Sequence, residues 1–199
     1  SVYVIGVDEV GRGPVAGPVV VCASATQQGT DIVSFFPKQK LKDSKKLSEK
    51  HRKEILEKIQ PLTHTKHILF GIGEVSATRI DEIGISASIK ESMLQALTAL
   101  HKQGVSKDSF IFLDGSLHAP EIYKQETVIK GDEKIPEIAL ASIFAKEYRD
   151  THMRECAKKF TAYHFDKHVG YGTKAHYDAI IEHGVTELHR VTFLKRLVR

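Results

Sequence analysis

Residues 2–7 form a short β-branched apolar run that stops at two adjacent acids, Asp8 and Glu9, and a second apolar run follows at 18–25. Gly11, Gly13, Pro14 and Gly17 lie between the runs, so the spacing predicts two strands joined by a glycine-rich turn. A strand that delivers a carboxylate pair to its own end, followed at once by a tight turn, restricts the fold more than any other segment. Further strands are expected at 67–75, at Phe110 to Leu113 ending in Asp114-Gly115, and at 126–130 ending in Gly131-Asp132.

Between these strands the periodicity changes from two to about 3.6. A helix opening near Ser48 carries Ile55, Ile59 and Leu62 on one face, and a longer one over 85–102 carries Ile85, Ile89, Met93, Leu97 and Leu100, with Gly104 as its stop. A third follows Pro136 with Leu140, Phe144, Tyr148 and His152 at i, i+4 spacing and further apolar atoms from Ala141, Ala145 and Cys156; shorter helices are expected over 174–182, capped by Gly184, and near the C-terminus. Three early strands, then helix, strand, strand, helix, predict an α/β fold: a mixed sheet flanked by helices, with a helical C-terminal region.

At 199 residues, 41% hydrophobic and 27% charged, the chain is expected to form one domain over 1–199, a core over 1–160 and the helical region over 161–199. Cys22 and Cys156 fit neither a disulfide framework nor a zinc site, and charges interrupt every apolar run well short of a membrane span. A cytoplasmic protein with no membrane partner is expected. Lys+Arg 29 against Asp+Glu 25 gives a net charge of +4, which permits phosphate or nucleic-acid binding without demanding it.

Acids beside glycine at strand ends are ordinary turn residues when taken singly. Asp8-Glu9, Asp114-Gly115 and Gly131-Asp132 together are different, because strand ends emerging from one sheet bring distant acids into one cleft. Grouped carboxylates repel one another until a cation arrives, and an all-oxygen set suits Mg²⁺ or Mn²⁺ better than zinc. A regular strand would point Asp8 and Glu9 to opposite faces. A local departure from regular pleating, caused by Gly11 and Gly13, is the expected remedy.

The run Gly6-Val7-Asp8-Glu9-Val10-Gly11-Arg12-Gly13-Pro14-Val15-Ala16-Gly17-Pro18-Val19 resembles the signature of the bacterial ribonuclease HII family, type 2 ribonuclease H. The resemblance continues through Leu41-Lys42-Asp43-Ser44-Lys45-Lys46-Leu47, Leu113-Asp114-Gly115, Lys130-Gly131-Asp132, the stretch Ala141 to Lys146, Arg149-Asp150 and Gly170 to His176. It implies a ribonuclease H-like fold and endonucleolytic cleavage of RNA in RNA–DNA hybrids, including 5′ of single ribonucleotides in duplex DNA, with 3′-hydroxyl and 5′-phosphate products. By that resemblance Asp8, Glu9, Asp114 and Asp132 are catalytic acids that bind two divalent ions, Mg²⁺ or Mn²⁺. Gly11, Arg12 and Gly13 would surround the ribose 2′-hydroxyl, Tyr171 would stack on the neighbouring deoxyribose, and Lys42, Ser44, Lys45, Lys46, Thr173 and Lys174 would grip backbone phosphates. A monomer is the family expectation, and the C-terminal stretch holding Phe193 and Leu194 offers no secure clamp-binding motif.

Lys146 fits either a structural ion pair or a substrate contact. His164 and His168 have i, i+4 spacing but no third ligand in pattern, so surface histidines are expected. The glycine spacing departs from G-x-G-x-x-G and lacks G-K-[ST], which excludes dinucleotide and ATP loops. A binding-only hybrid module is disfavoured, because four acids facing phosphates would weaken binding unless they served catalysis.

Overall fold

The computed structural model describes residues 2–36 and 46–197. Five strands form one sheet: β1 (Tyr3–Val10), β2 (Val19–Gln27), β3 (Ile68–Val75), β4 (Phe110–Asp114) and β5 (Gln125–Val128), in the order β3-β2-β1-β4-β5. β1 pairs antiparallel with β2 and parallel with β4, while β2–β3 is antiparallel and β4–β5 parallel. The mixed sheet expected from the sequence is therefore present. Its parallel half ends in acids, and β1 lies where the pairing changes from antiparallel to parallel, the kind of edge where ligands bind in open α/β sheets.

Six helices complete the described residues: α1 (Glu49–His64), α2 (Ala77–Ile83), α3 (Ile85–Lys102), α4 (Pro136–Lys159), α5 (Phe165–His168) and α6 (Lys174–His183). Alternation sorts the strand residues onto two faces. Ile5, Val7, Val21, Ala23, Ile111 and Leu113 face α3, where Ile89, Met93, Leu97 and Leu100 complete the larger core. Val20 and Cys22 face α4 across Ala141 and Ala145, and α1 adds Ile55 and Ile59 on the same side.

Several expectations need correction. The helix over 85–102 is preceded by α2, separated from it at Gly84, whose φ of +83° interrupts the helical path. β5 stops at Val128, and the chain turns through Lys130 at φ +52° into a 3-10 turn over Gly131–Glu133. Only a 3-10 turn, Val191–Phe193, stands where a C-terminal helix was expected among the described residues. In α4 the expected stripe is buried only in its first half: Leu140 is fully buried and Phe144 partly so, while Tyr148 is exposed; with the expected Ala141 and Ala145, Ile138, Arg149 and Met153 complete the buried face. Small residues are needed on that face because α4 lies directly against the sheet.

Gly6 marks the closest approach. A Cβ there would run into the backbone of Glu137 and Ile138 at the start of α4, and Ser24 Oγ on β2 donates to Glu137 O at 2.6 Å in the same contact. This docking fixes the helix that follows Asp132 against the strand that carries Asp8. Gly6→Ala is expected to cost about 1–3 kcal/mol through overpacking, read as a lowered urea midpoint at unchanged slope; an unaltered midpoint would show that the helix shifts freely.

Candidate active site

The β1–β4 register runs from Val4↔Phe110 to Val7↔Leu113, so the next residues along the two parallel strands are Asp8 and Asp114. The turn after β5 brings Asp132 to the same edge, where its backbone N–H donates to Asp114 Oδ1 at 3.4 Å. Asp8 and Asp132 are buried, while Glu9 and Asp114 are partly exposed. The expected loss of pleating does not occur, since β1 pairs with β2 without a break through Val10. Asp8 lies on the α4 face of the sheet and Glu9 on the other, and Glu9 N–H donates to Asp8 Oδ1 at 2.8 Å. Both acids reach the edge because they lie in the last turn-ward residues of β1, beyond Val7, the last residue paired with β4.

Burial pushes the Asp8 carboxyl well above the usual carboxylate range, and the negative charges of Asp114 and Glu9 push it in the same direction. A site of this kind gains from any cation that takes the place of a proton. Among the described residues no group of three acid, histidine or cysteine side chains is already drawn together as a metal cage. Mutual repulsion opposes such closure in a cation-free cluster. The donors are all carboxylate oxygens on neighbouring chain segments, a set that fits hard divalent ions.

The Gly11–Gly13 turn forms the other wall. Asp8, Glu9, Gly11, Arg12, Gly13, Lys146 and Tyr171 line one cleft of about 340 Å³ together with Arg52 and Ser142. Gly11 needs to be glycine, since its φ is +85° and a Cβ would strike Arg149. Gly13 does not: its φ is ordinary, and a Cβ there would meet only Tyr171 Cε1, at 3.9 Å. Arg12 is exposed and its Nε lies 3.5 Å from Glu9 Oε1.

The remaining predicted contacts are dispersed. Lys42, Ser44 and Lys45 lie outside the described residues, and Lys46 is exposed where the description resumes. Thr173 caps α6, its side chain accepting from His176 N–H at 3.2 Å. Lys174 is exposed and bound to Asp178 at 2.7 Å, a contact that raises its pKa. Lys146 combines both readings, pairing with Asp150 at 2.9 Å while lining the cleft.

The family model for ribonuclease HII matches residues 5–196. The chain belongs to the ribonuclease HII family. It is 44% identical over 190 residues to ribonuclease HII of Chlamydia caviae, covering 96% of this chain and 83% of that one. With ribonuclease HII of Clostridium perfringens it shares 43% identity over 199 residues, covering 98% and 68%. A chain in the structure of the PCNA:RNase HII complex from Archaeoglobus fulgidus is similar at a TM-score of 0.74 and 25% identity, over 95% of this chain and 94% of that chain. As a ribonuclease HII, the protein is a metal-dependent endoribonuclease acting on RNA–DNA hybrids. Among the described residues no helix is long and apolar enough to cross a membrane.

Residues of this ribonuclease HII that sequence reasoning missed lie behind the cleft. His168 is half-buried instead of on the surface, while His164 is exposed as expected. His168 Nε2–H donates to Tyr163 O at 2.5 Å, which leaves Nδ1 to accept from Gly170 N–H at 3.1 Å. His176 Nδ1–H donates to Tyr171 O at 2.8 Å, so its Nε2 accepts from His189 Nε2–H at 3.1 Å. His189 Nδ1 then accepts from Thr186 N–H at 2.9 Å. Each ring is thus used once as donor and once as acceptor, which only the neutral form allows. His168 and His176 stack at 4.0 Å. The chain of contacts supports Tyr171 from below.

Arg52, on the buried stripe of α1 with Ile55 and Ile59, donates to Glu147 Oε1 and Leu47 O, each at 2.8 Å, and so ties the segment after the basic loop to the cleft. Its signal was a cation in step with apolar residues, and Arg149 between Ala145 and Met153 gave the same signal.

The histidines predict a pH dependence. Burial holds His176 and His189 down to about 4 from an ordinary value of 6.5, and repulsion from His176 adds to the effect at His189. As pH falls through that interval the unfolded chain takes up protons that the folded protein refuses, so stability falls with pH. Asp8 and Glu137, with raised pKa values, contribute in the opposite sense, so the decline from about pH 6.5 to 4 is expected in the urea midpoint of a metal-free Asp8→Asn, Glu137→Gln protein. A midpoint flat across that window would contradict the neutral assignment.

Proposed function

We propose that this cleft cuts the phosphodiester on the 5′ side of a ribonucleotide, both within RNA–DNA hybrids and at single ribonucleotides in duplex DNA, leaving 3′-hydroxyl and 5′-phosphate ends. Such an activity serves ribonucleotide removal from DNA and removal of RNA primers. The observation that carries the reading is Gly13. Nothing within the chain requires glycine there, yet a side chain would project toward Tyr171 in the cleft that Asp8 and Glu9 line. A missing side chain that the fold does not need leaves room for close approach of a ligand, and a ribose 2′-hydroxyl is the feature that separates RNA from DNA.

Asp8, Glu9, Asp114 and Asp132 would hold two divalent ions, Mg²⁺ or Mn²⁺. Bound there, such ions supply Lewis-acid activation of water and neutralise charge on the scissile phosphate. The chain's own residues do the rest. Asp8 is kept at the base of the cleft by the sheet, where the negative charges of Asp114 and Glu9 that help raise its pKa would also favour a bound cation. The turn reads the 2′-hydroxyl, which serves as an identity tag and not as nucleophile. Tyr171, exposed and held through its carbonyl by His176, offers a ring on which the next sugar stacks. Arg12, Lys46 and the basic loop with Lys42, Ser44 and Lys45 attract the backbone, with Thr173 and Lys174 beside Tyr171; that affinity is sequence-blind and salt-dependent. The enzyme is expected to act as a monomer.

The direct test is incubation with a duplex containing one ribonucleotide, beside an all-DNA duplex, in Mg²⁺ and in Mn²⁺. Cutting confined to the 5′ side of the ribonucleotide is expected, and equal cutting of both duplexes would reject ribonucleotide recognition. Asp8→Asn and Asp114→Asn are each expected to reduce turnover by at least about 10²-fold, the scale of losing a charge at a metal-dependent site, with the fold retained by circular dichroism. Wild-type turnover in a folded double variant would refute the assignment of these acids.

Gly13→Ala separates recognition from folding. Its urea midpoint should match wild type while cleavage at a single ribonucleotide drops about tenfold or more, as a misplacement near the reacting atoms does. Unchanged cleavage would mean that the open space at Gly13 is not used by substrate. At Tyr171, alanine should harm activity more than phenylalanine if stacking is the role, and equal losses would move the role to the hydroxyl.

A further inference from the structure

We propose that Arg149 and Arg190 are positioning residues for ribonucleotide recognition: two buried guanidinium groups that grip the backbone carbonyls of the glycine-rich turn and thereby aim its amides into the cleft. The proposal rests on the reading of the turn given above and assigns what sets its shape.

Arg190 is fully buried, and its three nitrogens donate to Gly17 O at 3.0 Å, Arg12 O at 3.1 Å and Gly11 O at 2.6 Å. Arg149, also fully buried, donates to Pro18 O at 2.9 Å, Ala16 O at 2.9 Å and Val169 O at 2.6 Å. Five carbonyls of the segment between β1 and β2 are therefore held by two side chains, one from the middle of α4 and one from near the C-terminus. Val169 O ties the same grip to the residue two before Tyr171. Buried cations are ordinarily neutralised by carboxylates; here the partners are peptide oxygens. Burial lowers Arg149 to about 10 and Arg190 to about 9, with Arg149 adding repulsion at Arg190. The two groups also satisfy carbonyls that apolar side chains would leave unpaired, so shape and stability of the turn have to be separated by experiment.

Peptide geometry shows what the grip accomplishes. In a planar trans peptide the C=O and the following N–H point in opposite directions, and no peptide in the described residues is cis. With Gly11 O and Arg12 O drawn down onto Arg190, the N–H groups of Arg12 and Gly13 point away from it, toward the cleft that both residues line. Successive amides so directed form a concave donor pair suited to an electronegative oxygen. A cation on each carbonyl also polarises the peptide and strengthens its N–H as a donor. Gly11 at φ +85° gives the turn its direction, and Arg149, occupying the space where a Cβ would lie, holds it from beneath.

Arg190→Lys tests this, because lysine keeps the charge but cannot span three carbonyls in one plane. In a folded variant, kcat on the single-ribonucleotide duplex is expected to fall at least about tenfold with KM for the duplex within about twofold, since phosphate contacts are untouched. The preference for a ribonucleotide over a 2′-fluoro nucleotide at the same position should narrow by a similar factor. A structural role alone would lower the melting temperature and leave that preference intact, and such a result overturns the proposal. Should Arg190→Lys fail to fold, the wild-type protein decides: in metal-free buffer, amide resonances of Arg12 and Gly13 and the Arg190 Nε–H should shift with the ribonucleotide duplex and not with all-DNA duplex. Identical shifts with both duplexes would refute it. Wild-type failure to cut at the ribonucleotide would sink the reading of the turn itself, whereas wild-type cutting with undiminished preference in Arg190→Lys would sink only the clamp.

Discussion

Repulsion between carboxylates at one edge of the sheet is the constraint around which the rest of the molecule is arranged. Asp8 and Asp114 stand at the ends of adjacent parallel strands, and Asp132 is returned to them by the turn after β5. Left alone, such groups would separate or take up protons, and burial pushes Asp8 toward the second course. The sheet prevents the first. Gly6 lets the start of α4 lie on β1, Ser24 fastens it there, and the segment carrying Asp132 enters that same helix. Stability built elsewhere in the fold thus holds a locally unfavourable charge arrangement, which a bound divalent cation would relieve.

In the proposed reading, chemistry and recognition fall to different parts of the backbone. The acids sit on strands and a short turn of the core, whereas the recognition wall is built from the β1–β2 connection and the segment around Tyr171. The second wall owes its shape to residues far away in sequence: Arg149 on α4, Arg190 near the C-terminus, and the neutral histidines on α5, on α6 and beside Arg190. The isolated bridge between Ala16 and His189, and the paired amides of Val15 and Ala16 on Gly170 O, complete the same contact. The C-terminal region forms a backing plate for the turn.

The acids, the turn and the succession of strands along the chain were legible because each is a local pattern: an apolar run, a charge, a glycine. The face that α4 buries was legible in its first half, at Leu140, Ala141 and Ala145, and misread in its second, where Tyr148 is exposed and Arg149 and Met153 are buried. Arg149 rides on that hidden face. Its role could not be read without knowing that residues 16–18 come back against the helix. The same holds for His168, His176 and His189, whose spacing suggests nothing and whose tautomers follow only from the carbonyls and amides that three separate segments present. The short 3-10 turn at Val191–Phe193 replaces an expected helix because Arg190 is pinned to the turn and Asp81 accepts from the backbone amides of Val191 and Thr192, so local propensity gives way to tertiary bonds.

The net charge of +4 conceals two electrostatic regimes. Exposed cations such as Lys53, Lys158, Lys159 and Lys174 already pair with neighbouring acids. Such pairs are weak in water, so a phosphate displaces the acid at little cost, and salt screens both contacts alike. Arg52, Arg149 and Arg190 are buried, do not exchange partners with solvent and are screened far less. The first set can supply a grip on nucleic acid that fades with ionic strength, and the second fixes the geometry of the backbone that meets it. Affinity and discrimination should therefore separate in salt, because the charges that attract the duplex are not the charges that shape the turn.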